Sequence, residues 1–152
     1  MKQLIVIAEK EELKLVEQLE LKNIPVLITG VGALNVIQAL NELPKDIEII
    51  NVGYAGSKNL KPDFYEVGVV TLNHPNVEYP EPRYFCKRTG RYASKTCYTG
   101  CDFVLDTELD DCLFDMELAY IKSLGFKNVI SYKYVSDNLD LQEYRNKINE
   151  SE

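Results

Sequence analysis

Three apolar runs, QLIVIA (3–8), IPVLITG (24–30) and IEIINVG (47–53), are separated by stretches with helical periodicity, and this alternation limits the chain to few folds. Between the first two, EKEELKLVEQLEL sets Leu13, Val16 and Leu19 at helical spacing among glutamates. Between the second and third, GVGALNVIQALNEL leaves its glycines behind and continues with Val36, Ile37, Leu40 and Leu43 on one stripe. Strand, helix, strand, helix, strand in this order implies a largely parallel sheet, because parallel neighbours need crossover helices and those helices cover the sheet faces. YEVGVVTL (65–72) supplies a fourth run and KNVISYKYV (127–135) a fifth, while DMELAYIKSLGF (115–126) reads as a helix closing on Gly125. The stretch 73–100 starts proline-rich and continues CKRTGRYASKTC, which predicts loop plus a small hairpin turning at Thr89-Gly90. With no repeat or linker, residues 1–152 read as a single domain, long enough to bury a sizeable core.

The charge pattern removes several function classes. A formal net charge of -7 disfavours nucleic acid or an anionic membrane surface as a partner. No run reaches the length of a membrane span, and MKQLIVIAEKEEL turns acidic too soon for a signal peptide, so a cytoplasmic protein is expected. Cys86, Cys97, Cys101 and Cys112 lack a paired C-x-x-C spacing, and the single histidine, His74, lies upstream of all four. They read as reduced cytosolic thiols in preference to a four-thiolate zinc site, and neither a metal nor a cofactor is expected.

Two glycine-bearing segments stand where strands give way to other structure. GVGALN (30–35) joins a strand to a helix, where free backbone N–H groups favour an anion or polar ligand, although it lacks the further residues of the common nucleotide fingerprints. VGYAG (52–56) places Gly53 and Tyr54 at a strand's C-terminal end, the edge at which open α/β sheets collect ligands. Three carboxylates accompany them. Glu12 opens the first helix, Glu117 lies in DMEL, and Asp137 follows the last strand. Singly, they read as helix-start electrostatics, a solvated helix residue and a turn residue. Together at one edge, they could hold a polyhydroxylated ligand and supply both a base and an acid.

These segments resemble the nucleoside phosphorylase and nucleosidase superfamily, nearest its methylthioadenosine/S-adenosylhomocysteine nucleosidase branch. The matching pieces are IVIAEKEEL, ITGVGALNVIQAL, IINVGYAG, VGVVTL, TGCDFV, DMELAYI and VSDNLD, in family order and across nearly the whole chain. The resemblance implies a three-layer α/β/α fold around a mixed, twisted central sheet, reduced in size because the stretch between HPNVEYP and TGCDF is short. It implies hydrolysis of the N-glycosidic bond of a 5′-modified adenosine such as methylthioadenosine or S-adenosylhomocysteine. The alternatives are a reduced member that binds a nucleoside or nucleobase without turnover, and a phosphorylase. By resemblance Glu12 activates water, Asp137 protonates the purine and Ser136 orients it. Met116 and Glu117 line the ribose, and Phe103 stacks on the purine beside Val104. Gly53, Tyr54 and Lys133 complete the substrate contacts, the last two at positions where the family carries a small residue and an arginine. A homodimer is also implied. Phosphorolysis would need an anion site, yet the arginines at 83, 88, 91 and 145 all lie away from the glycine segments.

Overall fold

A computed structural model describes residues 2–73, 82–100, 104, 107–140 and 145–146. Among these residues the elements follow as β1 (Gln3–Ile7), α1 (Leu13–Gln18), β2 (Val26–Ile28), α2 (Ala33–Leu40), β3 (Glu48–Gly56), β4 (Phe64–Leu72), β5 (Arg83–Phe85), β6 (Ser94–Thr99), β7 (Cys112–Asp115), α3 (Leu118–Ser123) and β8 (Val129–Asp137). The expected mixed α/β architecture is present. β1 lies between β2 and β3, parallel to both, and β8 runs parallel to β3 from Ile49↔Val129 onward. β8 then pairs antiparallel with β4, β4 runs parallel to β6, and β6 parallel to β7. β7 returns to β3 through the antiparallel pair Gly56↔Phe114, so β3, β8, β4, β6 and β7 close into a ring.

The pleat sends alternate residues of the apolar runs to opposite faces. Ile5, Ile7, Ile50, Val52, Ile130 and Tyr132 pack with Leu15 and Val16 of α1. Val6, Ile49, Val67, Val129 and Val135 pack with Val36 and Leu40 of α2 and with Leu118 and Ile121 of α3. Both faces are therefore covered, which is why β3 is buried along nearly its whole length and reads as one continuous apolar run. Each fully buried aliphatic side chain in these clusters contributes on the order of 2 kcal/mol.

Three features differ from the sequence expectation. The proline-to-cysteine stretch holds two strands that do not form a hairpin, because β5 pairs antiparallel and β6 parallel with β4. The intervening loop is folded onto the buried carboxylate of Glu66, which accepts from Thr89 N (2.7 Å), Thr89 Oγ1 (2.7 Å) and Tyr92 N (2.9 Å). The segment expected as a helix from 115 begins as a strand end, since Asp115 completes β7 and its carboxylate accepts from Leu118 N (2.8 Å) to start α3. The first helix opens with a 3-10 turn over Lys10–Glu12, and the α-helical part runs only over Leu13–Gln18.

Candidate active site

β1, β3 and β8 are parallel, so their C-terminal ends share one edge of the sheet, and β7 crosses to the same edge at Phe114. A cavity of about 90 Å³ opens there. Its walls include Glu12 from the turn after β1, Tyr54 and Gly56 from β3, Val104, Met116 and Glu117 from the segments before and after β7, and Asp137 from β8. Six of the residues singled out from sequence (Glu12, Tyr54, Val104, Met116, Glu117 and Asp137) thus line one cavity. Three others stand one contact behind it. Ser136 Oγ donates to Asp137 Oδ1 at 2.7 Å, Gly53 lies against Glu12, and Lys133 is buried on β8. Phe103 falls outside the described residues.

Glu12 is fixed by backbone donors from the turn after β1 and from β3. Its Oε1 accepts from Ala8 N (2.8 Å) and Glu9 N (3.1 Å), and its Oε2 accepts from Tyr54 N (2.9 Å). The glycine at 53 makes this approach feasible, since a Cβ there would sit 2.7 Å from Glu12 Oε2 and 3.4 Å from Lys133 Nζ. Burial pushes the Glu12 carboxyl up, and Lys133 together with the three N–H donors offsets only part of that rise. The Tyr54 ring belongs to the α1 face, edge-on to Tyr134 at 6.4 Å between centroids. Its backbone N–H is the group that reaches Glu12.

Glu117 faces the glycine turn before α2, where Gly32 N donates to its Oε2 at 2.9 Å. Gly32 adopts φ +90° as the N-cap of α2, which frees its N–H to point outward. Burial first, then the Asp115 carboxylate, pushes the Glu117 carboxyl up to about 8, against the pull of Lys133 and Gly32 N–H.

Beneath these carboxylates lies an ion pair that the sequence reading did not single out. Lys133 Nζ sits 3.1 Å from Asp115 Oδ2, with the two side chains 1% and 0% exposed. Asp115 also accepts from Thr99 Oγ1 and Cys97 Sγ, and from the N–H groups of Glu117 and Leu118. Burial alone would raise the Asp115 carboxyl, but Lys133, Thr99 and Leu118 N–H hold it below the usual carboxylate range. Burial would likewise lower the Lys133 ammonium, but Asp115 and the neighbouring acidic groups hold it above its ordinary value. Lys133, expected at the substrate, thus stands behind the cavity wall as the cation shared by Asp115, Glu117 and Glu12. The signal for Asp115 was present: CLFD is an apolar run ending in an acid, the same pattern as YVSD at the end of β8.

Asp137 completes the site. It is 2% exposed, paired in register with Gly56 after a slip between Ala55 and Gly56. Leu139 N donates to its Oδ2 at 2.9 Å, opposite the Ser136 hydroxyl on Oδ1. A Cβ at Gly56 would stand 3.2 Å from Asp137 Oδ2, a tight contact that the carboxyl would relieve only by shifting slightly. The resulting cavity carries carboxylates on two sides, and no lysine or arginine lines it among the described residues. Such a surface favours a ligand that donates hydrogen bonds and gains positive charge as it reacts.

No family model matches the sequence, and no curated relative is similar to it by sequence. Solved structures are similar by fold. The S-adenosylhomocysteine nucleosidase of Streptococcus pyogenes aligns with TM-score 0.78 at 17% identity, over 98% of this chain and 90% of that one. The 5′-methylthioadenosine/S-adenosylhomocysteine nucleosidase of S. pneumoniae aligns with TM-score 0.79 at 18% identity, over 99% and 93%. The futalosine hydrolase of Helicobacter pylori aligns with TM-score 0.76 at 16% identity, over 99% and 92%. The chain has the fold of these solved nucleosidases and of the futalosine hydrolase.

Proposed function

We propose that the protein is a purine nucleosidase that hydrolyses the N-glycosidic bond of a 5′-modified adenosine, such as methylthioadenosine or S-adenosylhomocysteine. The observation that carries this reading is the convergence of Glu12, Glu117 and Asp137 on one cavity whose described lining has no lysine or arginine. Breaking the bond builds positive charge on the ribose and negative charge on the purine. Glu117 and Met116 take the ribose side, with Glu117 accepting from the sugar hydroxyls. Glu12, held by three N–H donors, orients and deprotonates the attacking water. Asp137 protonates the departing purine at N7, and Ser136 keeps its carboxyl oriented. Val104 lines the cavity beside the place given to the purine, and the stacking role stays with Phe103 as the resemblance implies. Gly53 and the Tyr54 N–H set the place of Glu12, and Lys133 holds the charge balance beneath. Phosphate, a dianion, meets carboxylates here, which favours water as the nucleophile.

The test is release of free base from a panel of methylthioadenosine, S-adenosylhomocysteine, inosine and futalosine, with and without phosphate. Base release independent of phosphate is expected. Strict phosphate dependence makes the protein a phosphorylase, and tight adenine binding without release makes it a binding protein.

The Glu117 carboxyl gives a pH signature. A sugar diol donating two hydrogen bonds requires the ionised form, whereas the free site holds this group protonated below about 8. Nucleoside binding therefore expels a proton, and the dissociation constant is expected to fall up to about tenfold per unit as pH rises towards 8, then to level. Calorimetry in buffers of different ionisation enthalpy reads that proton directly. In Glu117→Gln the slope disappears, and a slope that persists there assigns the proton to another group.

The homodimer reading is supported by exposed apolar side chains on the edge strand β2 and the turn and helix after it: Val26, Ile28, Val31, Leu34 and Ile37. Val31 also lines the cavity, so a second copy covering this surface would reach the site. Sedimentation equilibrium at micromolar concentration is expected to give a dimer, and a monomer there removes this part of the reading.

A further inference from the structure

The turn that presents Asp137 is tied down by a residue outside the cavity. Asn138 is exposed, yet its side-chain Nδ2 donates to Ser57 O at 2.9 Å and to Leu60 O at 3.2 Å. Those two carbonyls belong to a closed turn directly after β3, in which Ser57 Oγ accepts from Leu60 N at 3.2 Å and Ser57 itself is fully buried. The main chain makes the same link one residue earlier, since Ser57 N donates to Asp137 O at 3.2 Å. Beyond Asn138 the chain bends through Leu139 in the left-handed region, φ +68°, a conformation that a residue with a Cβ adopts only when its surroundings impose it. That bend brings Leu139 N onto Asp137 Oδ2 and places Leu139 in the cavity wall.

We propose that Asn138 is a positioning residue for Asp137. The two hydrogen bonds of its carboxamide to the 57–60 turn hold the strained bend at Leu139, and the bend in turn fixes one of the two oxygens of the Asp137 carboxyl. The Ser136 hydroxyl holds the other oxygen from within β8. Without the Asn138 clamp, Leu139 relaxes towards an unstrained conformation and its N–H leaves Oδ2. The carboxyl then turns about its χ angles, away from the direction in which a proton must travel. The inference rests on the nucleosidase reading, in which that proton goes to the purine.

The experiment compares wild type, Asn138→Ala and Asn138→Gln on two substrates, together with adenine affinity by calorimetry. In Asn138→Ala, kcat for a purine nucleoside is expected to fall about tenfold, the scale of a misaligned proton donor, with KM rising by no more than the loss in adenine affinity. A 4-nitrophenyl riboside, whose phenolate departs without protonation, is expected to lose less than about twofold, since only the acid step is disturbed. Adenine binding is expected to weaken about fivefold, the equivalent of one hydrogen bond, and Asn138→Gln to recover part of each loss. Equal loss on both substrates overturns the proposal in favour of a merely structural role, and so does no loss on either. If wild type binds adenine without releasing base, the affinity arm decides: an unchanged affinity in Asn138→Ala overturns the proposal, while the weakening upholds the clamp. A wild type that neither releases base nor binds adenine overturns the nucleosidase reading, and this inference with it.

Discussion

Asp137→Asn is expected to slow base release from a purine nucleoside by about 10²–10⁴-fold, the usual contribution of a positioned general acid, while the chain keeps its fold. The substitution is conservative in shape, and its hydrogen bonds can be remade. The amide oxygen can take Leu139 N–H, and the Ser136 hydroxyl, which now donates to Oδ1, can rotate to accept from the amide nitrogen. What the amide cannot do is deliver a proton to a departing purine. The loss should therefore appear in kcat, with thermal unfolding close to wild type. Glu12→Gln is a poorer probe of the chemistry, because its three N–H donors approach both carboxylate oxygens, and an amide nitrogen turned to either side would face a donor. Release by Asp137→Asn within about threefold of wild type would falsify the assignment of the acid.

The carboxylate edge was legible in the sequence because it depends on strand order, and strand order follows from apolar periodicity. Once QLIVIA, IEIINVG and KNVISYKYV are taken as parallel strands, the residues at their C-terminal ends and just beyond must meet at one edge, with Gly53 among the former and Glu12 and Asp137 among the latter. The short strands of the second half were not legible for the opposite reason. β5 and β7 span three and four residues, too few to show a period of two, and their pairing with β4, β6 and β3 is set by contacts distant in sequence. Missing β7 moved Asp115 into a helix that begins after it.

The fate of the polar residues within the apolar face had the same cause. Lys133 sits in a run of strand residues, where its spacing says only that it points to the same side as Ser131 and Val135. Whether such a lysine reaches a ligand or a buried acid depends on what lies opposite, and here that is the end of a strand the sequence did not disclose. The Tyr54 ring poses the mirror case. Alternation with Gly53 sends it to the α1 face, so a bulky residue is accommodated beside Glu12.

Lys133→Met is expected to destabilise the fold by ~3–5 kcal/mol, because it strips the cation from a buried pair and leaves the acid behind. Asp115 would keep its donors from Thr99, Cys97 and two backbone N–H groups, which moves the expected loss towards the lower end of that range. It would, however, face Glu12 and Glu117 with no positive charge among them, and both of those carboxyls would be driven further towards the protonated form. Asp115→Asn should cost less, since Lys133 retains Glu117 and Glu12 as acidic neighbours. The double variant should be milder than the sum of the two, because it removes the charge and its counter-charge together. Urea unfolding with the midpoint and slope fitted separately measures all three. If Lys133→Met loses less than about 1 kcal/mol, the value of an exposed pair, then the ammonium is not the charge that permits three carboxylates to stand at one edge of this sheet.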